Sequence, residues 1–513
     1  MSDLSQWLVE RQVSDGRGEA PAVCEPTRTW SYAELAEQIA RAASALKKKY
    51  KVAAGDRVGL VMHDSADFVA VFLAAIRVGA VAVPIPDLAR GADVRALLER
   101  STPRLVVAHA DLVSHIDEVL PELGRRPMLV TLDELQANAT IGAEKKTTTP
   151  KKPRNPNDPC FVLHSGPDAH GVAHSLATAR AAYATWAEGL LHLAAGDRVF
   201  ALARLSSGFG LATGLVFPLA AGAATCLMPE RAQPRAVFEA IGALRPTIVV
   251  AVPSLWRQMA DDLDEARRAG DVLAPFEGVR AAISGGEPLP ARLHKRTDEM
   301  LGGKLLHGLG VSEALGFVLC ARPGEPARYG SSGKPAPGWE ARIVDDGGQI
   351  VGSEQIGALE VKGPSLAHES PRVQGGWLRT GDRGLFDRDG FYFDCGRDDG
   401  RFKVSGRWVA PDEVERALTS HAAIWECAVV AEEDSQGLLV PVAYVVLSVG
   451  QTPSIALGHE LMVFVKGHLT PHKFPRRIEF VDELPRGPAG EVQRWRLRPA
   501  SVATGKPPTG APK

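Results

Sequence analysis

Cysteine is scarce and scattered in this chain: six among 513 residues, at 24, 160, 226, 320, 395 and 427. No two form a CxxC pair, so the pattern indicates neither a disulfide framework nor a zinc site. Excess charge of one sign is missing too. With a formal net charge of −2, no global field draws the chain to nucleic acid or an anionic membrane, and neither is expected as a partner. No stretch approaches the roughly 18 uninterrupted apolar residues of a spanning helix. The opening MSDLSQWLVERQ has no apolar run of signal length behind a basic start. A soluble, cytoplasmic protein is the expectation.

What is present is alternation. DRVGLVMHD (56–64) reads as a buried strand and SADFVAVFLAAIRVGA (65–80) as a helix capped by Ser65, before the strand VAVPIP (81–86). The pattern returns in RVFALARL (198–205), the apolar helix GLATGLVFPLAAG (210–222) and AATCLMP (223–229). TIVVAVP (247–253), VRAAISGG (279–286) and KLLHGLG (304–310) are further short apolar strands ending in glycine or proline. Such alternation predicts an α/β fold, with parallel sheets covered by helices. Ligands in such folds bind beyond the carboxyl ends of strands, so the glycine-rich exits after 283 and 306 are candidate site loops. The Lys-, Thr- and Pro-rich stretch 138–159 reads as an exposed connector. From about 391 the texture changes to short strands such as FYFDCG, AVVAE and PVAYVVLS, with helices at 411–421 and 459–469. The expected division is a large N-terminal domain over 1–398, a small mobile α+β domain over 399–497, and a disordered tail over 498–513.

Four segments occur in order: LLHGLGVSEALG (305–316), LRTGDRGLF (378–386), GRDDGRFKVSGRWVAPDEVERAL (396–418) and EFVDELPRGPAGEVQRWRLR, ending at 498. Together they resemble the adenylate-forming superfamily, most closely its benzoate-CoA ligase branch. Members join a carboxylate to AMP using ATP, then pass the acyl group to a thiol while the small domain rotates. The resemblance implies an AMP site made of Gly286, Glu287, Pro288, His307, Gly308, Leu309, Gly310, Ser312, Glu313, Asp382 and Arg397. In it Glu313 faces magnesium or the phosphate, and Asp382 accepts the ribose hydroxyls. Asp399 matches the hinge. Lys403, Val404, Ser405, Gly406 and Trp408 match the strand-loop lining the pantetheine tunnel, where a glycine leaves room for a thin acceptor arm. Gly406, Trp408 and Glu313 are thereby the candidate catalytic positions. No protein-held metal site is expected.

Two departures stand against these matches. The family's phosphate loop, roughly SGSTGxPKGVxH, corresponds here to SGPDAHGVAH (165–174). It is two residues shorter, its turn has become Pro167-Asp168-Ala169, and His170 replaces the expected lysine. Proline removes an N–H donor, and Asp168 puts negative charge where polyphosphate would bind. The family's adenylation lysine is Glu491 here; losing one such group costs ~10²–10³ in rate, and an anion in its place repels a carboxylate and a triphosphate. A neighbouring lysine, Lys473 of PHKFPRR, is the alternative source of that charge.

Both departures fall on the ATP-consuming half-reaction. The expected function is therefore thioester formation from a preformed acyl adenylate and coenzyme A, with ATP and Mg2+ dispensable and a separate adenylating ligase as supplier. Non-adenylating CoA ligases of diterpenoid antibiotic pathways have a similar pattern. The competing expectations are a complete ATP-dependent acyl- or aryl-CoA ligase and a nucleotide-binding pseudoenzyme. The acyl pocket is expected around Phe209, Gly210, Ala314, Leu315 and Gly316. Small residues there point to a bulky apolar acid.

Overall fold

The computed structural model describes residues 3–139, 155–164, 171–230, 232–270, 275–345, 347–367, 370–397, 400–448, 450–485, 492 and 494–497. Two helix-covered sheets form most of the large domain. The first has six strands, in the order Met128–Thr131, Leu105–Ala108, Arg57–Val61, Val81–Ile85, Pro159–Leu163, Val172–Ser175. All pair in parallel except the last two. The second has nine strands, with a parallel centre made by Leu305–Val311, Ala281–Ser284, Ile248–Ala251, Arg198–Ala201, Ala224–Cys226 and Pro21–Cys24.

The helices start where the sequence supplies caps. Ser65 accepts the Phe68 N–H at the head of Ala66–Arg77, a helix buried almost throughout as it packs on the strands Arg57–Val61 and Val81–Ile85 and on helix Tyr32–Lys48. Ser31 and Glu34 close a reciprocal capping box on Tyr32–Lys48. The apolar stretch after Ser207 is helical from Gly208 to Ala221 in three consecutive pieces.

A third sheet departs from the expected order. Glu340–Val344, Gly357–Lys362, Trp377–Phe386, Val373–Gln374 and Tyr392–Arg397 form an antiparallel sheet. The strand of FYFDCG therefore pairs backwards onto Trp377–Phe386, with Phe386 opposite Tyr392, and does not open the small domain. The texture changes at 391 because antiparallel strands precede the small domain as well as build it. Tyr392 is wholly buried, and its carbonyl accepts from Ser331 Oγ and the Ser332 N–H, both at 2.9 Å.

Beyond residue 400 come the hairpin Phe402–Val404/Arg407–Val409 and a three-stranded sheet, Ile424–Glu433, Leu439–Leu447 and Arg477–Phe480. Helices Pro411–Thr419 and Ile455–Lys466 pack on it. Pro411 stands at the first turn with Asp412 and Glu413 beside it, which suits both the fixed φ of proline and the helix dipole. Leu438, at the tip of the long hairpin, is buried in the large domain's cluster with Trp256, Leu289 and Leu293. Lys473 is 2% exposed and donates to Asp93 at 2.9 Å and Glu413 at 2.6 Å. One ammonium thus ties a helix of the large domain to a helix of the small one.

Candidate active site

The seam between the two parts opens into a cavity of about 2950 Å³. Its floor is the exits of two neighbouring parallel strands, Ala281–Ser284 and Leu305–Val311, with Ser284 opposite His307. A Cβ at Gly308 would lie 2.7 Å from the Leu319 carbonyl oxygen, so only glycine lets the antiparallel strand Gly316–Cys320 come so close.

Of the expected AMP-site residues, Gly286, Glu287, Pro288, His307, Gly308, Leu309, Gly310, Ser312, Glu313, Asp382 and Arg397 all line this cavity. Two of them are opposite partners in the third sheet, where Asp382 pairs with Arg397 and their side chains form an ion pair. Arg397 also lies 4.5 Å from the centre of the Trp408 ring, and Lys403 Nζ lies 4.7 Å from the same ring. Burial lowers the affinity of Lys403 for its proton, opposed by the nearby Asp382.

Buried acids here are neutralised in several ways. Glu313 follows the glycine strand in a single 3-10 turn and is held by Arg372 at 2.9 Å. Its backbone carbonyl accepts the Ala367 N–H. Glu287 accepts two backbone N–H groups, from Ser254 at 2.7 Å and Gly406 at 3.2 Å. Burial raises its pKa against those bonds. Asp394, also on the cavity wall, is pushed up to about 7 by burial and by the adjacent Asp382. Two buried histidines stay neutral: His307 is driven down to about 3 by burial and His294, and His174 to about 4 by burial while its Nε2 meets the Ser312 carbonyl at 2.8 Å.

The hairpin Phe402–Val404/Arg407–Val409 meets the loop that follows Ala281–Ser284 directly. Gly406 has φ +73°, and a Cβ there would lie 2.9 Å from Val252 Cγ1. Lys403, Ser405, Gly406 and Trp408 line the cavity. Val404 does not: it is buried in the small domain's own core, because alternate residues of a strand face opposite ways. The acyl-pocket expectation is corrected in the same manner. Phe209 and Gly316 line the cavity. Ala314 and Leu315 are wholly buried core residues. Gly210 is a packing glycine, since a Cβ there would stand 2.0 Å from the Arg204 carbonyl oxygen. The space at Gly316 is backed by Phe217, whose ring tip would be 3.5 Å from an added Cβ. Phe209 and Trp186 flank Phe317 at ring distances of 5.4 and 5.2 Å, giving that end of the cavity an aromatic wall.

His170, Asp399 and Glu491, with Pro167 and Asp168, lie outside the described residues. Sequence reading passed over Arg372, Asp394, Val252 and Ser254. Only Arg372 carried a signal, a basic residue in the proline- and glycine-bearing segment before the LRTGD motif. Lys473, the alternative source of adenylating charge, is committed to Asp93 and Glu413.

The AMP-binding enzyme family matches residues 9–369, and the AMP-binding enzyme C-terminal domain matches 413–491. The chain is 36% identical to the benzoate–CoA ligase of Thauera aromatica, over 96% of this chain and 95% of that one. It is 34% identical to the 4-hydroxybenzoate–CoA/benzoate–CoA ligase of Rhodopseudomonas palustris, over 96% and 93%. The crystal structure of a benzoate CoA ligase from Burkholderia xenovorans LB400 superimposes with a TM-score of 0.71 at 33% identity, over 97% of this chain and all of that one. The chain therefore belongs to the AMP-binding enzyme family, the adenylate-forming enzymes, among its acyl- and aryl-CoA ligases.

Proposed function

We propose that this ligase makes the acyl-CoA thioester of a bulky apolar carboxylic acid from a preformed acyl adenylate, and that its own adenylation step has been lost. A separate adenylating ligase would supply the adenylate. The observation that carries the reading is the contact of Gly406 with Glu287. It seats the proposed thiol-path hairpin on the proposed adenylate loop, as transfer to a thiol requires. The shortened stretch at 165–174 with Asp168, and Glu491, remove groups that the ATP-consuming half-reaction needs, and the engagement of Lys473 leaves that lysine unsuited to replace them. In the reaction, the coenzyme A sulfur attacks the acyl carbonyl, the C–S bond forms as the C–O bond to phosphate breaks, AMP leaves with the electron pair, and the thiol proton is released. Arg397 and Lys403 place positive charge beside the leaving phosphate, where preorganised charge lowers the barrier most. The aromatic wall at Phe209 and Phe317 favours an apolar acyl group.

The second reading is a complete ATP-dependent ligase, and the similarity to the benzoate–CoA ligases favours it. Acid-dependent pyrophosphate exchange separates the two. Negligible exchange with benzoate and bulkier acids, together with thioester formation from supplied acyl adenylates, is the expected result. Robust exchange with any acid overturns the proposal.

A further inference from the structure

We propose that Arg372 is a further phosphate-binding cation of this site, standing where the family pattern places magnesium at Glu313. Nucleotide binding and thioester formation then proceed without a divalent ion. The inference rests on the reading of the cleft as an adenylate site.

Arg372 lies just before the short strand Val373–Gln374. Its Nη1 donates to Glu313 Oε1 at 2.9 Å. Its Nη2 donates to the carbonyl oxygens of Arg379, at 2.9 Å, and Thr380. Three acceptors on two elements thus hold the planar fork in one orientation. The side chain of Glu313 is 5% exposed and that of Arg372 is 42% exposed, and both residues line the cavity. The anion is behind and the cation in front. A Cβ at Gly381 would lie 3.4 Å from Arg372 Nη2 and 2.5 Å from Arg397 Nη2. Two guanidinium groups therefore converge on the strand at Gly381, beside Asp382.

A magnesium ion does not fit Glu313 as placed. It would need oxygen ligands in near-octahedral array, yet the carboxylate is engaged by a guanidinium, whose like charge would oppose a second cation nearby. Among the described residues no group of three or more His, Cys, Asp or Glu converges to hold a metal. An unpaired buried Glu313 would repel an AMP phosphate; paired, it orients a cation toward it. Guanidinium is also the side chain best shaped for phosphate.

The test is calorimetric titration of the full chain with AMP and with adenosine, in EDTA and in excess MgCl2. For wild type, AMP is expected to bind more tightly than adenosine, with affinity unchanged by EDTA. Arg372→Ala is expected to lose about 10- to 100-fold in AMP affinity, the range for a charged hydrogen bond. Adenosine affinity stays unchanged, which reports an intact fold. Added Mg2+ is expected to recover part of the loss in Arg372→Ala, where Glu313 is released, and to do nothing in wild type. Arg372→Lys is expected to fall between them. Dependence of wild-type AMP binding on Mg2+, or an unchanged AMP-to-adenosine ratio in Arg372→Ala, overturns the role of Arg372 while leaving the nucleotide site standing. Failure of wild type to bind either ligand overturns the nucleotide site itself, and this inference with it.

Discussion

Glu287 and Glu313 follow adjacent strands of one sheet, and both are buried. Their charges are met differently. Glu313 has a guanidinium from the same domain. Glu287 has two backbone N–H groups, one of them brought from the small domain by Gly406. The Arg372–Glu313 ion pair involves no residue of the small domain. An amide-held carboxylate depends on the small domain being docked. The first arrangement builds a permanent site; the second joins site and domain position. Asp394 shows a third way, by retaining its proton toward pH 7.

The largest effect expected from breaking this contrast is at the joint. Gly406→Leu puts a branched side chain where a Cβ already meets Val252 at 2.9 Å, in a backbone conformation that leucine rarely adopts. Thioester formation from supplied adenylate is expected to fall by roughly 10² or more, with AMP affinity nearly kept. Single-turnover assay and calorimetry check the two halves. If Val252→Ala partly restores Gly406→Ala, the obstruction is this contact.

Next in size is the seam. Lys473→Met leaves the half-buried Asp93 and Glu413 without their shared buried cation, and breaking such a pair from one side costs up to about 3–5 kcal/mol. The small domain is expected to undock before the large domain melts, seen as a longer distance between spin labels on the two domains. AMP affinity, proposed to rest on Arg372 and Asp382 of the large domain, is expected to hold. An unchanged distance would mean that Leu438 suffices to dock the small domain.

Glu287→Gln is a finer cut. An amide has one acceptor oxygen for two N–H donors, so either Ser254 or Gly406 faces an NH2 group. The expected cost is about 1–3 kcal/mol, read as a raised KM for coenzyme A with AMP binding unaltered. An equal loss of both would place Glu287 in the nucleotide site, as the family pattern implied.

The smallest effect concerns protons. The folded pKa of Asp394 is raised to about 7, so between the ordinary carboxylate range and pH 7 the folded chain holds a proton that the unfolded chain has released. This contribution to stability falls as pH rises through that window. Asp394→Asn is expected to flatten it and to raise Tm at pH 8 by on the order of 1–2 °C. Scanning calorimetry from pH 5 to 8 checks the slope, and a steeper slope in the variant would reverse the sign argued here.

The strand exits were legible because glycine, cap and turn signals act over a few residues. Ser65 and Pro411 start helices as their neighbours dictate. The cavity residues of HGLGVSE and RTGD were legible through motif resemblance, and Asp382 and Arg397 meet as strand partners. Val404 was misassigned because a motif names a stretch of chain while a strand turns alternate residues away. Gly210 was misassigned because smallness serves packing as well as pockets; only the Arg204 carbonyl beside it distinguishes the two.

By itself the sequence determined the α/β alternation, the family and the two departures from the family pattern, at 165–174 and at Glu491, since each is written in contiguous segments. Only the tertiary structure decided which charges meet. Arg372 reaches Glu313 across 59 residues and Lys473 reaches Asp93 across 380. An arginine in a loop and a lysine near a proline have no local signature that names a partner. Coulomb energy depends on separation and surroundings in space, and these exist only once the sheets have stacked and the small domain has docked.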